Sequence, residues 1–207
     1  MKNLFLTSQA CNVIPKIAEK IDKKGVKVIF IKTPSEVSEG RLVWLDNDRD
    51  SLKNAGFEVT DYTITDKTRE EIKKEINNYD IMFVSGGNTF YLLEKIQQSN
   101  CADVLKDFVN QGKPYIGSSA GSVITGPDIS PAYDLDRVEK APNIKNYIGL
   151  GFVEFVTLPH WGSEKFKELY LNKRISKVYT ENNKLILITD KQYIHVKNDW
   201  YRIEEVK

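Results

Sequence analysis

Cysteine is scarce in this chain. There are two in 207 residues, Cys11 and Cys101, with no Cys-x-x-Cys spacing. That argues against a disulfide-stapled scaffold and against a thiolate metal site, and fits two reduced packing residues in a cytoplasmic protein. Histidine is as rare, His160 and His195 alone, so no metal is expected. An excess of one charge is also missing, since 30 basic residues face 29 acidic ones. With no basic patch or polybasic run, neither nucleic acid nor a membrane surface is an expected partner. No hydrophobic run approaches the roughly twenty residues of a membrane span, and Met1-Lys2-Asn3-Leu4-Phe5-Leu6-Thr7 is apolar over too short a span to be expected as a signal peptide. Neither Gly-x-Gly-x-x-Gly nor Gly-Lys-Ser/Thr occurs, and no cofactor is expected.

What is present is an alternation. Short strand-like runs cover Leu4–Thr7, Val26–Ile31, Phe57–Tyr62, Ile81–Val84, Tyr115–Gly117, Phe152–Thr157 and Leu185–Thr189. Between the first five lie segments of helical periodicity, Val13 to Lys23, Glu36 to Ala55, Lys67 to Asn77, Thr89 to Gln98 and Ala102 to Asn110. Alternation of this kind predicts an α/β fold with a mostly parallel sheet flanked by helices. Tyr193–Val196 and Trp200–Ile203, flanking Lys197-Asn198-Asp199, read as a C-terminal antiparallel hairpin. The whole chain, 1–207, is expected to form one domain, long enough to bury a core without metal or disulfide staples. Residues 126–146, with three prolines and scattered charge, predict a long ordered loop.

Gly117-Ser118-Ser119-Ala120-Gly121 follows the apolar Tyr115-Ile116 and precedes Val123-Ile124, so a strand should run through a Gly-x-Ser-x-Gly turn into a helix. Such a turn lifts a serine off the strand end, and its glycines let the backbone fold tightly beneath it. The pattern alone arises by chance in about one chain in fifteen of this length, so partners must carry the argument. A serine nucleophile needs a base. His195 sits in the alternating run Gln192-Tyr193-Ile194-His195-Val196 and reads as a solvated strand residue, whereas His160 follows Phe152–Leu158 and a proline, at the carboxyl end of a strand where open α/β sheets place their chemistry. A structural histidine beside Trp161 is the alternative for His160. The carboxylate that would orient this base is Asp190, at the end of Leu185-Ile186-Leu187-Ile188-Thr189, although Asp190 also suits a turn between strands.

These motifs come in a characteristic order: Phe83-Val84-Ser85-Gly86-Gly87-Asn88-Thr89-Phe90, then Tyr115 to Gly121, then Leu158-Pro159-His160, then the strand ending at Asp190. In this the chain resembles the serine peptidase family that contains peptidase E and cyanophycinase. The resemblance implies the class I glutamine-amidotransferase-like (flavodoxin-like) fold and a triad of Ser119 as nucleophile, His160 as base and Asp190 as acid, where peptidase E has glutamate. It also implies an oxyanion hole from the Gly87 and Ala120 amides. We expect a short peptide as substrate, no cofactor, and a monomer or homodimer. A non-catalytic ligand-binding domain of the same fold, or a hydrolase of cyanophycin or other amides, is the alternative.

The segment expected to select the substrate departs from peptidase E. In place of an Asn-Asp-Met-Pro stretch linked to amino-terminal aspartate, this chain reads Ser130-Pro131-Ala132-Tyr133-Asp134-Leu135-Asp136. Asp134 or Asp136 can hold a substrate ammonium or belong to a solvated loop. Asn88, at the start of a helix, and Trp161, beside the base, are further candidates for the substrate pocket, with helix capping and core packing as their bland alternatives.

Overall fold

Strand β1 (Asn3–Thr7) alternates Leu4 and Leu6 toward one side and Phe5 toward the other, and both sides are buried. The same period of two recurs in β2 (Lys27–Ile31), β4 (Ile81–Val84) and β5 (Tyr115–Ser118), which is the mark of a sheet covered on both faces. The computed structural model describes residues 1–21, 25–133, 135–180 and 184–206. Among them, seven strands form a sheet of order β3-β2-β4-β5-β1-β8-β9, with β3 at Glu58–Tyr62, β8 at Gln192–Lys197 and β9 at Trp200–Glu205. The first five in that order run parallel, β8 is antiparallel to β1, and β9 to β8. This is the expected mostly parallel sheet with its C-terminal hairpin; Asn198 adopts the positive φ of 55° that the two-residue turn requires.

Two helices cover one face. Ile14 and Ile17 of α1 (Ile14–Ala18), with Leu45 and Leu52 of α2 (Val43–Asn54), pack on Phe5, Phe30 and Phe83. On the other face lie α3 (Arg69–Ile76), α4 (Thr89–Ser99) and α5 (Ala102–Asn110), whose Ile72, Phe90 and Phe108 join Leu4, Leu6 and Met82. Helix α3 starts in a reciprocal Thr68/Glu71 capping box, and α4 ends on Asn100 in the left-handed conformation. Two expected helices are shorter than their periodicity. The one predicted from Glu36 begins only at Val43, because Thr33–Ser35 form a 3-10 turn around Pro34 and Gly40 takes φ +79°. The one predicted to Lys23 ends at Ala18, and its last residues lie outside those described.

The strands carrying His160 and Asp190 depart from the expected single sheet. Here β6 (Val156–Leu158) and β7 (Leu185–Leu187) pair in parallel with each other in a separate two-stranded ladder. The physical reason is occupancy: the free edge of β1 is taken by β8, from Asn3↔Lys197 to Thr7↔Tyr193. The small ladder has its own cluster of Val156, Leu158, Tyr170 and Val178. After β6 the chain passes through α7 (Lys167–Leu169), a π-helical segment Tyr170–Arg174 and α8 (Ile175–Val178). Arg174 is fully buried there, its Nε and Nη2 donating to Pro131 O at 2.8 and 2.7 Å, which ties the 126–146 loop to this segment.

Candidate active site

Ser119 sits between β5 and the short helix α6 (Ala120–Val123) with φ 48° and ψ −105°. A non-glycine residue there costs about 1–3 kcal/mol, so the surroundings must hold it. They do so through Ser119 N donating to Thr7 O at 3.0 Å and Ser122 N donating to Ser119 O at 2.8 Å. Gly121 is obligatory, because a Cβ there would run into the Val84 carbonyl of the neighbouring strand. The turn therefore has the geometry of a nucleophile elbow.

His160 follows β6 in an equally unusual conformation, φ 66°. Its Nε2 lies 3.1 Å from Ser119 Oγ, and its Nδ1 lies 2.8 Å from Asp190 Oδ1. The ring stacks against Phe166, with centroids 5.0 Å apart. Burial pushes the Asp190 carboxyl up, but hydrogen bonds from His160 and Ser8 and the attraction of His160 outweigh it and hold the group below the usual carboxylate range. Ser8, which sequence reasoning missed, donates to Asp190 Oδ1 at 2.5 Å and accepts from His160 N at 2.7 Å. Its signal was position: it follows directly on the carboxyl end of a central strand.

The Gly86-Gly87 turn after β4 lies against the nucleophile, since a Cβ built on Gly86 would be 3.5 Å from Ser119 Cβ. Gly87 has φ +130°, and a Cβ there would collide with the Pro34 carbonyl. Ala120 occupies the first position of α6, where its N–H has no intrahelical acceptor. Both amides are thus candidates for contact with a substrate oxygen.

A cleft of about 590 Å³ opens over these groups, with Ser119, His160, Asp190, Gly87, Asn88 and Asp136 among its lining residues. The side-chain amide of Asn88 is engaged at both ends: Oδ1 accepts from Tyr91 N at 2.9 Å and Nδ2 donates to Arg137 O at 2.8 Å. Asp136 Oδ2 accepts from Thr89 N at 2.9 Å and Thr89 Oγ1 at 2.5 Å; burial nonetheless raises its pKa. Asp134 lies outside the described residues. Trp161 does not line the cleft; it packs edge-on against Tyr170, ring centroids 5.7 Å apart, and the aromatic walls are Trp44 and Phe166 instead. His195 does not line the cleft and is not a solvated strand residue: it stacks on Phe5 at 4.5 Å, and burial lowers its pKa. Among the described residues no group of three or more His, Cys, Asp or Glu is placed to hold a metal ion, and no helix is long and apolar enough to cross a membrane.

Asp48 of α2 is a buried carboxyl beside Ser118 in the lining of the cleft, 2 % exposed. Burial pushes it up to about 6, although the hydroxyl of Ser118 and the amide of Cys11, at 2.8 Å from Oδ1, favour its ionised form. The Cys11 thiol beside it is pushed up to about 11 by burial and by Asp48. A carboxyl raised on folding stabilises the native state below its unfolded pKa, and that stabilisation is lost as pH rises through about 6. Asp48→Asn keeps the acceptor for Cys11 and removes the buried charge. The variant should therefore flatten the pH dependence of stability between about pH 4 and 6 and gain up to about 3 kcal/mol over wild type at neutral pH. Urea unfolding at pH 4 and pH 7 checks this; an equal stability difference at both pH values would contradict it.

The sequence pattern of Peptidase family S51 matches residues 4–204. An uncharacterized peptidase of Listeria monocytogenes is 34 % identical over 198 residues, covering 95 % of each chain. Peptidase E of Shewanella amazonensis is 31 % identical over 60 % of this chain and 50 % of its own length. Among solved structures, a Listeria monocytogenes protein described provisionally as a peptidase E superposes over 100 % of both chains, with a TM-score of 0.92 and 32 % identity.

Proposed function

The chain belongs to peptidase family S51 and is a serine peptidase, and on that premise we propose that it hydrolyses dipeptides or other very short peptides through Ser119, His160 and Asp190. The observation that carries this reading is the continuous run from Ser119 Oγ to His160 Nε2, 3.1 Å, and from His160 Nδ1 to Asp190 Oδ1, 2.8 Å. Ser119 Oγ attacks the scissile carbonyl while His160 Nε2 takes its proton. The Gly87 and Ala120 amides donate to the oxyanion. His160 then returns the proton to the departing amine, and water, deprotonated by the same nitrogen, releases the acyl group and restores the serine.

The size of the cleft, about 590 Å³, is that of a small-ligand pocket and supports short substrates over extended chains. Asp136 in its lining is our candidate partner for a substrate ammonium, and Arg137, Lys140 and Lys165 for a substrate carboxylate such as that of the amino-terminal aspartate the resemblance to peptidase E favours. Comparing kcat/KM for Asp-Leu, Ala-Leu, N-acetyl-Asp-Leu and denatured casein tests this. Acetylation should cost about ten- to hundredfold, the worth of a hydrogen bond to a charged group, and Asp136→Asn should produce a similar loss with the free dipeptide. Efficient cleavage of casein, or indifference to acetylation, would reject the dipeptidase reading and favour a more open amide hydrolase.

A further inference from the structure

The carbonyl of Thr7 and the hydroxyl of Ser8 lie side by side at the end of β1, and between them they touch all three residues of the proposed triad. Thr7 O accepts from Ser119 N at 3.0 Å and from Ser122 Oγ at 2.7 Å. Ser8 Oγ accepts from the backbone N–H of His160, donates to Asp190 Oδ1 and lies 3.1 Å from His160 Nδ1. This corner has little freedom to drift. Thr7 is paired on both sides, with Ser118 of β5 and Tyr193 of β8, and Ser8 is 1 % exposed.

We infer that Ser8 is a positioning residue that selects the imidazole tautomer needed for the base, an inference resting on the triad reading above. A serine hydroxyl has one proton. An ionised carboxylate can only accept, so the Ser8 hydroxyl donates to Asp190 Oδ1 and not to His160 Nδ1. Ser8 Oγ then offers Nδ1 only lone pairs, as does Asp190 Oδ1 at 2.8 Å. Both atoms facing Nδ1 are acceptors, so Nδ1 must carry the proton and Nε2 is left with its lone pair toward Ser119. The same hydroxyl, by accepting the His160 amide, holds a backbone at φ 66° that a residue with a side chain rarely adopts. Asp190 alone could accept a hydrogen bond from Nδ1, but its carboxylate would be free to rotate; Ser8 fixes which oxygen faces the ring.

The test uses the full chain as wild type, Ser8→Ala and Ser8→Thr, with a fluorophosphonate probe and an Ala-Leu substrate. Ser8→Ala should slow labelling and lower kcat by about ten- to hundredfold, by analogy with the loss of a hydrogen bond that orients a metal-bound histidine, with little change in KM. The acid limb of the pH profile, a property of the coupled His160–Asp190 pair, should move to higher pH, because a carboxylate that loses a donor attracts the imidazolium more strongly. Ser8→Thr, which keeps the hydroxyl, should recover most of the loss. Nitrogen-15 NMR should find the neutral His160 ring protonated at Nδ1 in wild type and a mixture of tautomers in Ser8→Ala. Wild-type labelling in Ser8→Ala, or slower labelling with an unmoved acid limb and a single tautomer, would overturn the proposal. Should Ser8→Ala not fold, Ser8→Cys, of similar size but a far weaker donor, gives the same comparison. Undiminished hydrolysis by Ser119→Ala would instead sink the triad reading, and the NMR tautomers would still report on Ser8.

Discussion

Ser119→Ala is expected to abolish dipeptide hydrolysis, lowering kcat by about a million-fold as nucleophile removal does in other serine peptidases, while leaving the protein folded. The side chain lines the cleft and its hydroxyl lies 3.1 Å from His160 Nε2, so the loss should be chemical and not structural. The neighbouring serines are natural controls, because each is buried and engaged elsewhere. Ser118 Oγ accepts from Ala10 N at 3.3 Å, and Ser122 Oγ lies 2.7 Å from Thr7 O and 2.8 Å from Gly117 O. Ser118→Ala and Ser122→Ala should therefore cost stability, about 1–3 kcal/mol each, and keep most of the activity. Steady-state kinetics on the three variants, with folding checked by circular dichroism, decide the matter. A dead Ser122→Ala beside an active Ser119→Ala would move the nucleophile.

The second large effect separates the two histidines. His160→Ala should lose nearly as much activity as Ser119→Ala, since nucleophile and base act as a unit and the loss of either removes the step. His195→Ala removes a ring stacked on Phe5 and a contact of 3.2 Å from Nε2 to Asn3 Oδ1, so it should lower stability and leave turnover largely intact. Activity of the wild type should also fall as the pH is lowered, because an imidazolium cannot accept the serine proton. Measuring kcat/KM of both variants, and of the wild type across pH at temperatures well below unfolding, checks each point. An inactive His195→Ala with an active His160→Ala would restore the nucleophile–acid–base order of ordinary α/β-hydrolases.

The parts of this architecture that were legible in the sequence are those set by local rules. Tyr115 to Gly121 spelled out a strand, a strained serine and a helix start because only glycine tolerates the close approach of Val84 to position 121. The unbroken apolar run Val28, Ile29, Phe30 and Ile31 gave a strand. The hairpin turn at Asn198 was equally local. What was not legible depends on which element wins a shared edge. Nothing in Val156–Leu158 or Leu185–Leu187 says that β8 takes the edge of β1 and leaves the two strands to pair alone. That outcome carries His160 and Asp190 on a separate ladder and brings them over the end of β1, where Ser8 meets them. Ser8 itself lacks a motif, being one serine after an apolar run. Trp44 and Phe166 as cleft walls were hidden for a related reason. The segment that includes Pro34 and the cleft-lining Val37, Ser38 and Glu39 is tied to the Gly86-Gly87 turn by the Pro34 carbonyl accepting Asn88 N at 2.8 Å, a long-range contact.

The assignment of Ser119 as the nucleophile is tested most directly by mass spectrometry of the wild-type protein after reaction with a fluorophosphonate. A single adduct on Ser119, absent from Ser119→Ala and strongly reduced in His160→Ala, is the expected result. An adduct on Ser8, Ser118 or Ser122, or labelling of Ser119 that is unaffected by removing His160, would contradict it.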